Sequence, residues 1–217
     1  MQPLTQLCIM RLGIYGGTFN PVHYGHLLLA ETCREQTGLD RVLFVPNAVS
    51  PHKDHAVTSP EARIEMLKLA LGGHPAMQVS TLEIERGGVS FTVETLTRVQ
   101  QDFPNDKLFF LMGADSLEDL PTWRDPGKIC QLAVPLVVRR AGSAEPDFGK
   151  LAHLVDSERL GEIRQCQVTM PVMELSSTDI RQRVAAGNSI RYRMPRGVEM
   201  YILGNGLYSS NRIGADG

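Results

Sequence analysis

Between residues 11 and 187, short apolar or β-branched runs alternate with helical patterns, and that alternation leaves few folds open. "RLGIYG" (11–16) predicts a strand, and residues 23–37 predict a helix closed by Gly38. "RVLFVP" (41–46) predicts a second strand stopped by Pro46. Ser59-Pro60-Glu61 is a helix start, with serine as cap and proline first in the helix, and that helix runs to about Leu71. "MQVSTLEIE" (77–85) reads as a strand, residues 92–102 as a helix, and "DKLFFLMG" (106–113) as a buried strand. "ADSLEDLPTW" reads as a short helix plus turn, and "LAVPLVVRR" (132–140) as a strand before a polar loop, "AGSAEPDFG". "QCQVTMPV" gives a late strand, "SSTDIRQRVAAG" a capped helix closed by Gly187, and "PRGVEMYILGNGLY" a final helix and turn. The fold class expected is α/β: a Rossmann-like, doubly wound parallel sheet with a small C-terminal helical part. One domain over 1–217 follows, with its α/β core at about 11–187 and a C-terminal helix and tail at 188–217.

Composition removes several functions. Net charge is −2, so no global basic field points to nucleic acid, and any anion site must be a local arrangement of amides and a few cations. Cys8, Cys33, Cys130 and Cys166 are scattered, which excludes a CxxC motif and argues against a disulfide framework; reduced thiols in a cytoplasm are the expected reading. No apolar stretch approaches ~18 residues, so no membrane span is expected. The start, "MQPLTQLCIMRLG", has no basic region before its short apolar run and does not read as a signal peptide. Nothing in the sequence sets an oligomeric state.

In such sheets ligands bind outside the carboxyl ends of the strands. Gly16 and Gly17, the stretch from Pro51 to Lys53, and Gly113 with Asp115 all fall at such ends. At the first end stands "GGTFNPVHYGH" (16–26). A dinucleotide fingerprint fails there on spacing, since Tyr15 and Thr18 stand where GxGxxG needs glycine, and no P-loop occurs anywhere. Zinc lacks the HExxH glutamate and further ligands, so no metal site is expected. What remains is a phosphate cradle. Asn20 is placed to cap, Pro21 to begin the helix, and the glycines let an anion approach free N–H groups. His23 and His26, three apart, present two imidazoles to phosphate oxygens.

The same residues carry a resemblance. "GGTFNPVHYGH" resembles the HxGH signature of the nucleotidyltransferase superfamily, and "ELSSTDIR" (174–181) resembles its second signature, ISSTxxR. With "VPNAVSPHK" (45–53), "RGGVSFTVETL" (86–96), "GADS" (113–116) and "LPTW" (120–123), the chain resembles the bacterial nicotinate-nucleotide adenylyltransferases over all but about ten residues at each end. It departs at Thr18 and Asn20, where serine and aspartate are common, and at Phe91, where tyrosine is usual.

The resemblance implies transfer of AMP from ATP to nicotinate mononucleotide, with Mg²⁺ carried in on the ATP. It implies that His23 and His26 are catalytic. Gly16, Gly17, Thr18, Phe19, Gly113, Asp115, Arg140, Ser176, Ser177, Thr178 and Arg181 would hold ATP. His52, Lys53, Thr92 and Trp123 would hold the mononucleotide, Trp123 by stacking and Thr92 through the helix start that suits a ring carboxylate. Read without the family, Asp115 and the serines are also ordinary helix caps, Trp123 also packs a core, and His52 and Lys53 are also a solvated loop pair. Rival functions are another adenylyltransferase of the superfamily, taking nicotinamide mononucleotide or phosphopantetheine, and a nucleotide-binding regulatory module without turnover.

Overall fold

The computed structural model describes residues 9–49 and 58–209. Its six strands are β1 (Arg11–Gly17), β2 (Arg41–Pro46), β3 (Met77–Val79), β4 (Lys107–Gly113), β5 (Val134–Arg140) and β6 (Gln167–Met170). They form one sheet in the order β3-β2-β1-β4-β5-β6, and every pairing is parallel. In β2, β4 and β5 five consecutive residues are buried, so both faces of the central sheet are covered. Order 3-2-1-4-5-6 is that of the doubly wound fold, and the direction of winding reverses between β1 and β4. The expected fold class therefore holds. In register, Gly17 of β1 lies opposite Pro46 of β2, while β4 ends at Gly113 beside Val138 of β5. The carboxyl ends of β1 and β4 thus flank the crevice.

Nine α-helices occur among the described residues: α1 (Tyr24–Thr37), α2 (Pro60–Leu71), α3 (Leu82–Arg86), α4 (Thr92–Asp102), α5 (Ala114–Asp119), α6 (Pro126–Leu132), α7 (Ser157–Gln165), α8 (Ser177–Ala185) and α9 (Arg196–Gly204). Helix α1 packs on β2, β5 and β6; α2 lies on β2 and β3 with α9 against it. Helix α4 packs on α6, and α6 and α7 meet β5. Cys33 and Cys130 are buried free thiols, and Cys166 is a half-buried one.

Several elements differ from the sequence reading. The strand expected over 77–85 stops at Val79, its last pairing being with Phe44, and the chain turns into α3. "LEIE" alternates like a strand, but at a sheet edge pairing over only three residues a turn of helix buries Glu83 instead. The strand expected over 132–140 begins at Val134, because Leu132 closes α6, a helix the sequence reading left out along with α7. Asn20 and Pro21 do not begin α1. Asn20 is buried, its Oδ1 accepts from the Tyr208 hydroxyl at 2.6 Å, and the helix starts four residues later. His23 stands at the cap position, and its N–H donates to Nδ1 of His26 at 3.2 Å.

Candidate active site

The two imidazoles are built by that cap. Because His26 Nδ1 accepts the His23 N–H, the neutral His26 ring carries its proton on Nε2, which leaves it a donor. The rings stack, with centroids 3.7 Å apart and planes at 27°. Phe19, at φ 47° and buried, sets its ring edge-on to both His26 (5.1 Å) and Tyr15 (5.3 Å). Burial lowers the His23 pKa to about 4, so this imidazole is neutral at pH 7. Gly25 has a separate reason. A methyl there would lie 3.0 Å from Cε1 and Nδ1 of His23, so the ring occupies the space a side chain would need.

Among the described residues, two cavities open at this end of the sheet, on either side of β1. One, of about 590 Å³, is walled by Gly16, Gly17 and Thr18 from the corner, Asn47 after β2, Phe91 and Thr92 at the start of α4, and Phe110 and Trp123. Among the described residues its charged lining is Glu83 and Arg124. The other, of about 440 Å³, is lined by Tyr15, His23, Gly25, His26, Gly113, Asp115 and Arg140, with the 143–146 loop closing it. No described residue lines both. The residues expected to hold ATP are therefore divided: Gly113, Asp115 and Arg140 share the histidine cavity, whereas Gly16, Gly17 and Thr18 face the other. Phe19 lines neither and instead supports His26. Thr92 and Trp123 fall in one cavity, as their expected common ligand requires. Trp123 meets Phe110 edge-on at 6.1 Å. His52 and Lys53 lie outside the described residues.

The second signature reaches the corner through its backbone. The Ser177 hydroxyl donates to the Pro21 carbonyl at 2.8 Å, and Arg181 Nη1 to the Asn20 carbonyl at 2.8 Å. Arg181 Nη2 also donates to the Thr178 hydroxyl at 3.2 Å, while Ser176 caps α8 by accepting from Asp179 N–H at 3.1 Å. Ser177 and Arg181 thus brace the first loop, Thr178 steadies Arg181 and Ser176 caps its own helix; none of the four lines either cavity. From the far side Arg63, 1% exposed, donates to the Thr18 carbonyl at 3.0 Å and to Asn47 Oδ1 at 3.3 Å. Among the described residues, no three histidine, cysteine, aspartate or glutamate side chains gather into a possible metal site. No described helix is long and apolar enough to cross a membrane.

Comparison with known proteins reads this geometry. The cytidylyltransferase-like family model matches residues 14–183. A probable nicotinate-nucleotide adenylyltransferase of Thermomicrobium roseum is 44% identical over 199 residues, 91% of each chain. The Thermus thermophilus relative of the same name is 41% identical over 92% of this chain and all of its own.

The chain belongs to the nicotinate-nucleotide adenylyltransferase family.

Among solved structures, the nicotinic acid mononucleotide adenylyltransferase of Plasmodium falciparum, determined in complex with NaAD, superposes with a TM-score of 0.69 over 92% of this chain and 97% of its own. At 18% identity that likeness speaks for the fold. Within this adenylyltransferase, sequence reasoning missed three residues that shape the site. Gly25 had a signal, because the HxGH spacing itself puts a glycine between the histidines. Glu83 was hidden by the strand reading of its segment, and Arg63, one turn before Met66 and Leu67 on the buried face of α2, by a helix whose apolar residues form no clear stripe.

Proposed function

We propose that this chain transfers AMP from ATP to nicotinate mononucleotide, giving nicotinate adenine dinucleotide and pyrophosphate, as one domain of a cytoplasmic enzyme of NAD biosynthesis. The observation that carries the reading is the pair of cavities flanking β1, one with two imidazoles and an aspartate, the other with an aromatic wall and a helix N-terminus. A reaction between two nucleotides needs two such berths meeting at one strand end.

ATP, entering as its Mg²⁺ complex, occupies the histidine cavity, with Asp115 and Gly113 toward the nucleoside and Arg140 toward the phosphates. The mononucleotide occupies the other cavity, its ring against Trp123 and its carboxylate at the N–H groups that open α4, since helix N-termini suit anions. His52 and Lys53 serve its phosphate. An oxygen of that phosphate attacks the α-phosphorus of ATP. A P–O bond forms there as the bond to the bridging oxygen breaks, and pyrophosphate departs with the electron pair. The attacking phosphate has its second pKa at about 6, so it arrives deprotonated and no base is required. His23, neutral, and His26, an Nε2 donor, act by alignment and by hydrogen bonds to the charge that builds on the α-phosphate.

Pyrophosphate release, measured with ATP, Mg²⁺ and either nicotinate or nicotinamide mononucleotide, tests the reading. Release with the acid form supports it; release with neither favours a binding module, and equal rates remove the acid preference. His23→Ala and His26→Ala are each expected to lower kcat at least ~10²-fold, the cost of a lost transition-state donor.

A further inference from the structure

Arg63 is wholly buried, lines neither cavity, and the mechanism does not use it. It ends the first turn of α2, whose start is set by Pro60 and by Ser59, the hydroxyl of which accepts the Ala62 N–H at 3.3 Å. A single nitrogen, Nη1, donates both to the Thr18 carbonyl at 3.0 Å and to Asn47 Oδ1 at 3.3 Å, while Nε has no partner among the described residues. The titratable groups acting on the guanidinium are Tyr208 and Glu61, and burial works against its charge. Arginine nonetheless stays protonated in proteins, so a cation is held in the interior here. Both of its acceptors belong to residues that wall the cavity assigned above to the mononucleotide.

The chemistry of the three groups fixes one orientation. A carboxamide has an accepting end and a donating end, whereas a guanidinium only donates. Asn47 must therefore turn Oδ1 to Arg63, and Nδ2 faces away from it. Nδ2 meets Thr18 Oγ1 at 3.5 Å, the outer limit of a hydrogen bond. The Asn47 backbone is pinned separately, its N–H donating to the Gly17 carbonyl at 3.0 Å. Asn47 lines the mononucleotide cavity and not the histidine cavity. With its carbonyl taken by Arg63, the end it offers a ligand is the N–H2. That end suits the carboxylate and phosphate oxygens of a mononucleotide; a flipped amide would set a carbonyl against them.

We propose that Arg63 is a positioning residue for the acceptor substrate, locking the Asn47 carboxamide so that its N–H2 end meets an anionic oxygen of the mononucleotide. The assignment rests on the reading of this cavity as the acceptor berth. A donor on that side of β1 binds ground state and transition state alike, which gives a raised KM with kcat held.

Steady-state kinetics of Asn47→Ala, Arg63→Met, Arg63→Lys and the Asn47→Ala/Arg63→Met pair, varying each substrate in turn, provide the test. Asn47→Ala is expected to raise KM for nicotinate mononucleotide about tenfold, the lower end for one hydrogen bond to a charged group, with kcat within about threefold and KM for ATP unmoved. Arg63→Met keeps an apolar stem but no donor, and is expected to raise the same KM by a similar factor. Because the two residues act through one bond, the double variant is expected to lie within about threefold of Asn47→Ala. Arg63→Lys returns a donor to the site and is expected to fall between wild type and Arg63→Met. Unchanged KM in Asn47→Ala or Arg63→Met, multiplicative effects in the double, an equal rise in KM for ATP, or a lysine variant no better than methionine would each overturn the assignment. If no Arg63 variant folds, the side-chain N–H2 signals of Asn47 in the wild-type protein decide, assigned by their loss in Asn47→Ala. They are expected to shift on titration with nicotinate mononucleotide alone, and signals that stay in place overturn the proposal. A wild-type chain that releases no pyrophosphate sinks the function and this assignment together; an active one with normal KM in the variants sinks this assignment alone.

Discussion

Replacing Gly25 by alanine separates what the corner does for catalysis from what it does for folding. The added methyl would sit 3.0 Å from two atoms of the His23 ring, where relaxed carbon contacts are roughly 3.5–4.0 Å. The ring must retreat by about half an ångström. His26, stacked at 3.7 Å, bars one direction, so the retreat also moves the second imidazole or breaks the stack. The other neighbour of the new methyl, Leu175 Cβ at 3.8 Å, makes ordinary contact. Backbone terms point the opposite way. Gly25 lies in the first turn of α1 without a positive φ, and alanine in a helix is favoured over glycine by roughly 0.5–1 kcal/mol. An off-rotamer histidine costs about 0.5–1.5 kcal/mol. The two nearly cancel, so stability is expected to stay within about 1 kcal/mol, a melting shift of no more than ~4 °C for a chain of this size. Catalysis has no such compensation. Misplacement by 1 Å costs ~10²-fold, so half of that predicts about a tenfold loss of kcat at saturating substrates. Pyrophosphate release and a thermal melt on the same preparation suffice. A variant with kcat within twofold of wild type, or one whose activity falls only in step with its folded fraction, refutes the argument that Gly25 is there for the His23 ring.

Acid should act on the fold through His23. Above pH ~6.5 it is neutral folded and unfolded; between there and about 4 only the unfolded chain takes the proton, so stability falls by up to about 1.4 kcal/mol per pH unit. Urea unfolding at pH 7.5 and 5 should show a larger loss for wild type than for His23→Ala, and equal losses would contradict the buried neutral imidazole. Trp123→Ala should raise KM for the mononucleotide at least about fivefold, base–aromatic stacking being worth ~1–3 kcal/mol, and leave KM for ATP alone; a change confined to ATP would place the ring in the wrong cavity. Tyr208→Phe removes the 2.6 Å bond to Asn20 and is expected to cost about 1–2 kcal/mol in denaturant unfolding, a result no larger than error arguing against that brace.

The strands were legible because their physics is local. β2, β4 and β5 are buried on both faces, so they are written as unbroken apolar runs between turn residues, and their alternation with helices leaves a parallel sheet as the packing solution. Helices α6 and α7 were not legible. Helix α6 flows directly into β5, so Leu132 and Ala133 read equally well as the head of the strand. Helix α7 has few buried positions to give a periodic stripe, only Ile163 being fully buried. Its one clear mark was the Asp156 cap, which accepts from Arg159 N–H at 2.8 Å.

The site divides along the same line. His23, His26, Thr92 and Trp123 announce themselves, since residue type and position at a strand end or helix start already state the chemistry they offer. The residues that hold those groups in place make their bonds to backbone across long stretches of chain, and sequence spacing carries no trace of such a contact. Ser177 reaches the Pro21 carbonyl, Arg181 the Asn20 carbonyl and Arg63 the Thr18 carbonyl, all three on the loop between β1 and α1. A carbonyl accepts from any donor that arrives, so nothing at positions 18, 20 or 21 specifies its partner. Three donors from α8 and α2 thus fix the stretch from Thr18 to Pro21, while Gly16 and Gly17 before it keep their open approach to the cavity. That division lets the corner be rigid without being filled: the stiffness comes from side chains outside it, and the space is left to the substrates.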